Sequence, residues 1–113
     1  MSPKILQVNL TYHIDRADLE AAWLEAAQPI ADWSGLHWKI WSINEAENQF
    51  AGIYLFESEA ALQSYLASPI VEALSSSPVL SNISVKILDV MEGHSAITRG
   101  PVQAGLALPS GED

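Results

Sequence analysis

LHWKIWSINEAENQFAGIYLFE, residues 36–57, is the stretch of sequence that decides the fold. Its two ends, 36–44 and 50–57, are rich in the aromatic and β-branched residues that favour strands. Between them lies the acidic and polar segment 45–49, which is typical of a turn. The stretch therefore predicts a β-hairpin that carries many aromatic side chains.

The sequence before the hairpin predicts a strand and then a helix. Residues 4–12 alternate apolar and polar with period two, which indicates a strand with one buried face. Asp15 is a suitable N-cap, and apolar residues then recur at helical spacing to about Asp32. Pro29 lies near the end of this helix and is expected to weaken or kink its last turn.

The sequence after the hairpin repeats this order in reverse. Helical spacing resumes at about Ser58, is interrupted at Ser68-Pro69 and continues as a short turn of helix. Residues 82–91 then predict a fourth strand. The order β-α-β-β-α-β is that of a ferredoxin-like α+β fold, with a four-stranded antiparallel sheet in the spatial order 4-1-3-2 and helices on one face.

Domain organisation follows from the same pattern. Residues 1–100 are predicted to form a single ferredoxin-like domain. The segment from residue 93 onward has no periodicity, and residues 101–113 are interpreted as an extended or disordered C-terminal tail.

The predicted sheet has apolar residues on both faces, although helices would cover only one. A second copy of the sheet is the simplest cover for the other face, so we expect a homodimer. On each strand, large apolar residues lie on opposite faces: Trp38 and Ile40 against Trp41 and Ile43, Tyr54 and Phe56 against Ile53 and Leu55, and Val85 and Ile87 against Leu88 and Val90.

Composition excludes several classes of function. The 113-residue chain has no cysteine, which excludes thiolate metal sites, iron–sulfur clusters and cysteine nucleophiles. Its five Lys and Arg against 14 Asp and Glu give a formal charge of −9, so we expect neither nucleic acid nor an anionic membrane as a partner. The chain shows neither a signal peptide nor a membrane span, and we expect a cytoplasmic protein.

The familiar catalytic motifs are absent from the sequence. There is no nucleophile elbow, nucleotide-binding glycine loop or HExxH pattern, and the three histidines (His13, His37 and His94) lack the spacing of a metal site. No metal or other cofactor is therefore expected.

Two features could carry chemistry. Gln7, Asn9 and Thr11 form the polar face of the central strand, where they either satisfy one another or line a pocket. The other feature is the hairpin. If even-numbered residues pair with even-numbered residues across it, then Trp38, Ile40, Gly52, Tyr54 and Phe56 share one face, with space above the glycine for a planar ligand.

The hairpin motifs Leu36–Trp41 and Ala51–Phe56 resemble those of the YdhR-like monooxygenases, which belong to the dimeric α+β barrel superfamily. The similarity extends to Leu6-Gln7-Val8, to 61–66, to 85–90 and to 95–100. The resemblance implies a homodimer that is similar to the anthrone monooxygenases, which use neither flavin nor metal. In those enzymes the deprotonated substrate itself reduces O2, and Asn, Trp, Tyr and Arg side chains lie at the pocket. Haem-degrading relatives carry a ligating His on the second helix, and residues 58–74 contain none.

Three hypotheses follow. In the first, the protein is a monooxygenase that acts on a small phenolic, anthrone-like or quinol-like substrate with O2; Trp38 and Tyr54 frame the pocket and Asn9 polarises a substrate oxygen. In the second, the protein binds an aromatic or lipid-like small molecule without turnover. In the third, the aromatic hairpin serves only the dimer interface. For the enzyme, the residues expected to bind substrate are Trp41, Gln7, Phe56, Arg99 and, at the rim, Lys39.

Overall fold

The computed structural model describes residues 2–102, which form four strands, four α-helices and one 3-10 turn (Glu45–Glu47) between the hairpin strands. No helix among these residues is long and apolar enough to cross a membrane. The elements in chain order are β1 (Lys4–Tyr12), α1 (Arg16–Ala31), β2 (Leu36–Asn44), β3 (Gln49–Phe56), α2 (Glu59–Leu66), α3 (Pro69–Ser75), β4 (Leu80–Asp89) and α4 (Glu92–Ile97).

The four strands form one antiparallel sheet in the order β2-β3-β1-β4. This is the predicted order 4-1-3-2 counted from the other edge, so the predicted ferredoxin-like α+β fold is confirmed. The central strand β1 explains why the chain folds in this way. Its alternating residues Leu6, Val8, Leu10 and Tyr12 are each at most 4% exposed, and they pack beneath the helices.

The helix boundaries follow from local capping. The Ser58 hydroxyl accepts a hydrogen bond from the Ala61 amide (3.2 Å) at the start of α2, and Ser68 does the same for Val71 (3.3 Å) at the start of α3. Pro69 is the first residue of α3, where its missing N–H costs nothing. The predicted interruption between these two helices is confirmed.

The segment after β4 differs from the prediction. Residues 92–97 form the short helix α4, whereas the absence of periodicity had suggested an extended chain. Six residues are too few to show a helical period, which explains the error. Pro101 and Val102 pack against the domain, and Val102 is buried. The rest of the predicted tail, residues 103–113, lies outside the described residues, and the boundary at residue 100 stays a prediction.

The hairpin register also differs from the even-to-even pairing considered above. Leu36 pairs with Phe56 but Trp38 pairs with Leu55, so the bulge at His37 shifts the register by one residue. From there on, odd-numbered residues of β2 face even-numbered residues of β3. Lys39, Trp41 and Ile43 therefore share the helix-covered face with Tyr54, Gly52 and Phe50.

Candidate functional site

An aromatic cleft lies between α1 and the hairpin. Trp23 of α1 packs edge-on against Phe50 of β3, with ring centroids 4.4 Å apart, and lies 5.9 Å from Trp41 of β2. The cleft has a volume of about 470 Å³, and Arg16 and Glu20 of α1 lie at its wall. Trp41 remains 37% exposed, so a ligand can reach its ring from solvent. The arrangement provides stacking surfaces for a planar molecule.

Lys39 lies behind this aromatic wall. Its Nζ atom is 3.4 Å from the centroid of the Trp41 ring and 4.4 Å from that of Tyr54. Gly52, opposite Trp41 on β3, makes room for the lysine, because a Cβ atom at residue 52 would lie only 3.1 Å from the Lys39 Cε atom. The glycine and the register shift together place an amine on the helix-covered face of the sheet.

Lys39 has aromatic neighbours and no carboxylate partner among the described residues. The ion pairs among residues 2–102 involve Lys4 and Arg16, and none of them includes Lys39. Burial lowers the pKa of Lys39 to about 7 from its usual 10.5. The faces of Trp41 and Tyr54 attract the protonated ammonium and so oppose this effect. Near neutral pH the amine is therefore available both as a proton acceptor and as a cation.

Two tyrosines adjoin the amine on the inner side. The hydroxyl groups of Tyr54 on β3 and Tyr65 on α2 form a buried hydrogen bond of 3.0 Å. Burial raises the pKa of both phenols, so they remain protonated and can act only as neutral donors or acceptors. Both rings and Lys39 line a small inner cavity of about 50 Å³ that also touches Trp23 and Trp41.

The structure does not bring the three predicted catalytic residues together. Trp38 and Tyr54 lie on opposite faces of the sheet, because Trp38 pairs with Leu55 and Tyr54 pairs with Lys39. The pocket predicted between Trp38 and Tyr54 is therefore wrong within one chain. The Trp38 indole instead donates a hydrogen bond to the Pro101 carbonyl (2.9 Å).

Asn9 also faces away from the aromatic cleft. The Gln7 amide donates a hydrogen bond of 3.2 Å to the Asn9 side-chain oxygen, so the two polar residues partly satisfy each other. Asn9 lines a separate polar groove of about 440 Å³ near Asn44 and Asn82. Both alternatives considered for this face thus hold in part, but neither places Asn9 near Tyr54.

The other predicted binding residues fall into two groups. Trp41 lines the cleft, whereas Lys39 lies behind it at the small inner cavity and not at the rim. Phe56 is fully buried and stacks on Tyr54 at 5.9 Å, and Arg99 is an exposed residue just after α4. These two positions do not touch the cleft.

Sequence reasoning missed three members of the site: Trp23, Phe50 and Tyr65. Trp23 and Tyr65 lie at helical spacing among apolar residues, where an aromatic side chain is usually part of the core. Only the contact between α1 and the hairpin shows that Trp23 lines an opening. Within residues 2–102, no group of three or more His, Asp or Glu side chains could hold a metal ion.

Several solved structures share this architecture. SnoaB, a cofactor-independent oxygenase from Streptomyces nogalater, is 15% identical, with a TM-score of 0.67 over 80% of this chain and 94% of that one. NE2512 from Nitrosomonas europaea is 23% identical (TM-score 0.64; 80% and 91% covered), and Rv0793 from Mycobacterium tuberculosis is 17% identical (0.66; 80% and 96%). At these identities the likeness is one of fold.

Family membership comes from the sequence. No curated protein matches the chain significantly. The family model described as "Putative mono-oxygenase ydhR" matches residues 5–101, a range that includes the hairpin, Lys39 and both tyrosines of the inner cavity. The resemblance inferred from the hairpin motifs is thereby confirmed, and the chain belongs to the ydhR mono-oxygenase family.

Proposed function

We propose that the α1–hairpin cleft is the active site of a monooxygenase that oxidises a small phenolic, anthrone-like or quinol-like substrate with O2 and needs no flavin, haem or metal. The observation that carries the proposal is the position of Lys39. Its amine lies between aromatic rings at the inner end of an open aromatic cleft. Family membership supports the oxygenase class, and the geometry supports the kind of substrate.

The proposed reaction requires only a base and a hydrogen-bond donor from the protein. A neutral Lys39 amine accepts a proton from an acidic C–H or O–H group of the bound substrate. The resulting anion is electron-rich and reduces O2 directly; for an anthrone, a CH2 group and O2 become a carbonyl group and water. Tyr54 and Tyr65 stay protonated, so a hydroxyl of the pair can donate a hydrogen bond to the developing oxyanion.

The volumes indicate how the substrate binds. The outer cleft of about 470 Å³ is within the range of small-molecule sites, whereas the inner cavity of about 50 Å³ is too small for an aromatic ring. A planar substrate would therefore pack against the exposed part of Trp41 in the outer cleft. Its reacting edge would point inward to Lys39, where the inner cavity has room for a molecule the size of O2.

An oxygen electrode tests this proposal. Wild-type protein should consume O2 with an anthrone or hydroquinone, and EDTA should not slow it. Lys39→Met should lose about 100-fold or more in rate, as expected when a general base is removed, whereas the exposed Lys86→Met should retain activity. The wild-type rate should rise with pH as Lys39 loses its proton near pH 7. Loss of activity after dialysis against EDTA, or full activity in the Lys39 variant, would contradict the proposal.

The same cleft also suits the alternative function, a module that binds an aromatic molecule without turnover. Three aromatic rings line an opening that a ligand can enter, and that feature alone favours binding. Saturable quenching of tryptophan fluorescence without O2 uptake over a panel of phenols and anthrones would favour this alternative over the enzyme.

We also propose that two copies associate through the sheet face that the helices leave uncovered. Ile40 on the edge strand β2 and Leu88 on the opposite edge strand β4 lie on this face, and they are 53% and 45% exposed. Large apolar residues exposed across a whole sheet face favour an interface. Light scattering at micromolar concentration should show a dimer. Ile40→Asp should shift the mass toward the monomer, and Leu24→Asp on the solvent side of α1 should not. A monodisperse wild-type monomer would refute the dimer.

A further inference from the structure

We propose that the Lys39 amine is also a nucleophile, and that the α1–hairpin cleft takes aromatic aldehydes and ketones as reversible covalent ligands bound to it as imines. The inference shares its residue and its cleft with the proposed function but needs no oxygen chemistry. It gives this site a second class of ligand, distinguished by a carbonyl group attached to a flat aromatic system.

The first argument is the contrast among the three lysines of the chain. Lys4 is paired with Asp89 and Glu59, and the hydrogen bond to Asp89 raises its pKa further. Lys86 is exposed on the edge strand β4. Lys39 alone is placed among aromatic rings, with no carboxylate within ion-pair distance in the described part of the chain. A nucleophile must be unprotonated, and this environment disfavours the ammonium.

The second argument is the shape of the surroundings. The amine borders the inner cavity and also an edge groove of about 240 Å³ that is lined by His37, Trp38 and Trp41. This groove shares Trp41 with the aromatic cleft, so an aromatic carbonyl compound bound in it would contact both Trp41 and the Lys39 side chain. Buried apolar walls limit the access of water and so slow the hydrolysis of an imine once it has formed.

The step is balanced without a co-reactant. The lysine nitrogen attacks the carbonyl carbon to give a carbinolamine, and loss of one water then leaves a C=N bond in place of the C=O bond. No atom is oxidised or reduced.

The groups that could change the pH dependence of this step are few. Tyr54 faces the amine from β3, Tyr65 from α2, and His37 from β2 itself; on α1 the charged residues Arg16 and Glu20 line only the outer cleft beyond Trp41. Trapping should therefore follow a single group, falling about tenfold for each pH unit below 7 as the amine becomes protonated.

Reductive trapping tests the proposal. The full-length protein is incubated anaerobically with 2-naphthaldehyde and cyanoborohydride, which converts an imine into a stable secondary amine, and peptide mapping then compares Lys39 with Lys86 and with the amino terminus. At pH 7.5 the label should form on Lys39 at least about tenfold faster than on Lys86, because an exposed lysine of ordinary basicity is almost wholly protonated. Equal rates at the two lysines would overturn the proposal.

Formaldehyde provides the matched control. It forms imines but cannot stack on an aromatic wall, so the preference for Lys39 over Lys86 should be several-fold smaller with formaldehyde than with the naphthaldehyde. If both reagents show the same preference, the cleft does not select aromatic carbonyl compounds and the proposal fails. The trapping uses no O2, so it can succeed even if the protein shows no oxygen uptake. If instead Lys39→Met loses oxygen uptake but no trapping occurs on Lys39, the nucleophile proposal fails and Lys39 acts only as a base.

Discussion

Replacing Lys39 with methionine tests the central physical claim about the site without any knowledge of its ligand. Methionine is unbranched and apolar, and it fills the space of the lysine stem while removing the amine. The wild-type protein must bury an ammonium, or else give up its proton, each time it folds below pH 7. The variant has no such cost, so Lys39→Met should be more stable than the wild type in acid.

The magnitude follows from the position of the pKa. Burial places the pKa of Lys39 at about 7 rather than 10.5, and each pKa unit corresponds to about 1.36 kcal/mol, so the cost has an upper limit of about 5 kcal/mol. Between pH 7 and 10.5 the unfolded chain holds a proton that the folded chain has released, so the wild type becomes more stable as the pH rises. The stability advantage of the variant should therefore shrink by about 1.5–2.7 kcal/mol between pH 6 and pH 9, the lower figure allowing for the partly exposed side chain.

Urea denaturation at pH 6, 7, 8 and 9, at one protein concentration, measures this difference directly. Other titrating groups are common to both proteins and cancel in the subtraction. Lys86→Met is the control for the removal of a lysine. Because Lys86 lies on the uncovered sheet face opposite Gln7, only the pH dependence of its stability difference is compared, and this dependence should be much smaller than that of Lys39→Met. The argument for a buried amine is refuted if Lys39→Met is no more stable than the wild type at pH 6, or if its advantage stays constant to pH 9.

Two further sets of substitutions test the packing around the amine. Gly52→Ala places a Cβ atom 3.1 Å from the Lys39 Cε atom and should lower stability by about 1–3 kcal/mol, whereas Gly93→Ala meets nothing within 4 Å and should be neutral or slightly stabilising; thermal unfolding of the two variants decides between them. Tyr54→Phe and Tyr65→Phe should each cost about 1–3 kcal/mol, because each leaves a buried hydroxyl without its partner. The double variant should cost clearly less than the two single costs added together, and strict additivity in a double-mutant cycle would show that the hydroxyl pair contributes no coupling.

The fold could be predicted because its signals are local and repeated. The alternation in 4–12 and the capped starts at Ser58 and Ser68 each depend on a few neighbouring residues, and the order of elements then leaves one common topology. The helix α4 was missed because its signal is neither long nor repeated: six residues are too few to show a helical periodicity.

The site could not be predicted in the same way, because it depends on whether the odd-numbered or the even-numbered residues of β2 share a sheet face with Tyr54. One extra residue in one strand of a hairpin exchanges its two faces, and nothing in the sequence marks His37 as that residue. With the even register, Trp38 would share a face with Tyr54; with the observed register, Lys39 does so. The contribution of Trp23 is a tertiary contact between α1 and the hairpin, and helical spacing alone cannot distinguish such a residue from the core.

The free-energy cost of burying the Lys39 amine is itself an argument about function. Its position on the helix-covered face of a sheet is one where folding favours an apolar side chain, and a methionine would avoid the desolvation of an ammonium altogether. The surrounding residues accommodate the lysine nonetheless: Gly52 provides the space and Trp41 provides a ring face for the ammonium. Sequence-level rules are most often broken at functional sites, where stability is given up for chemistry. A buried amine that opens onto an aromatic cleft is such a break, and it favours a role for Lys39 in acting on a ligand over a role in holding the hairpin together.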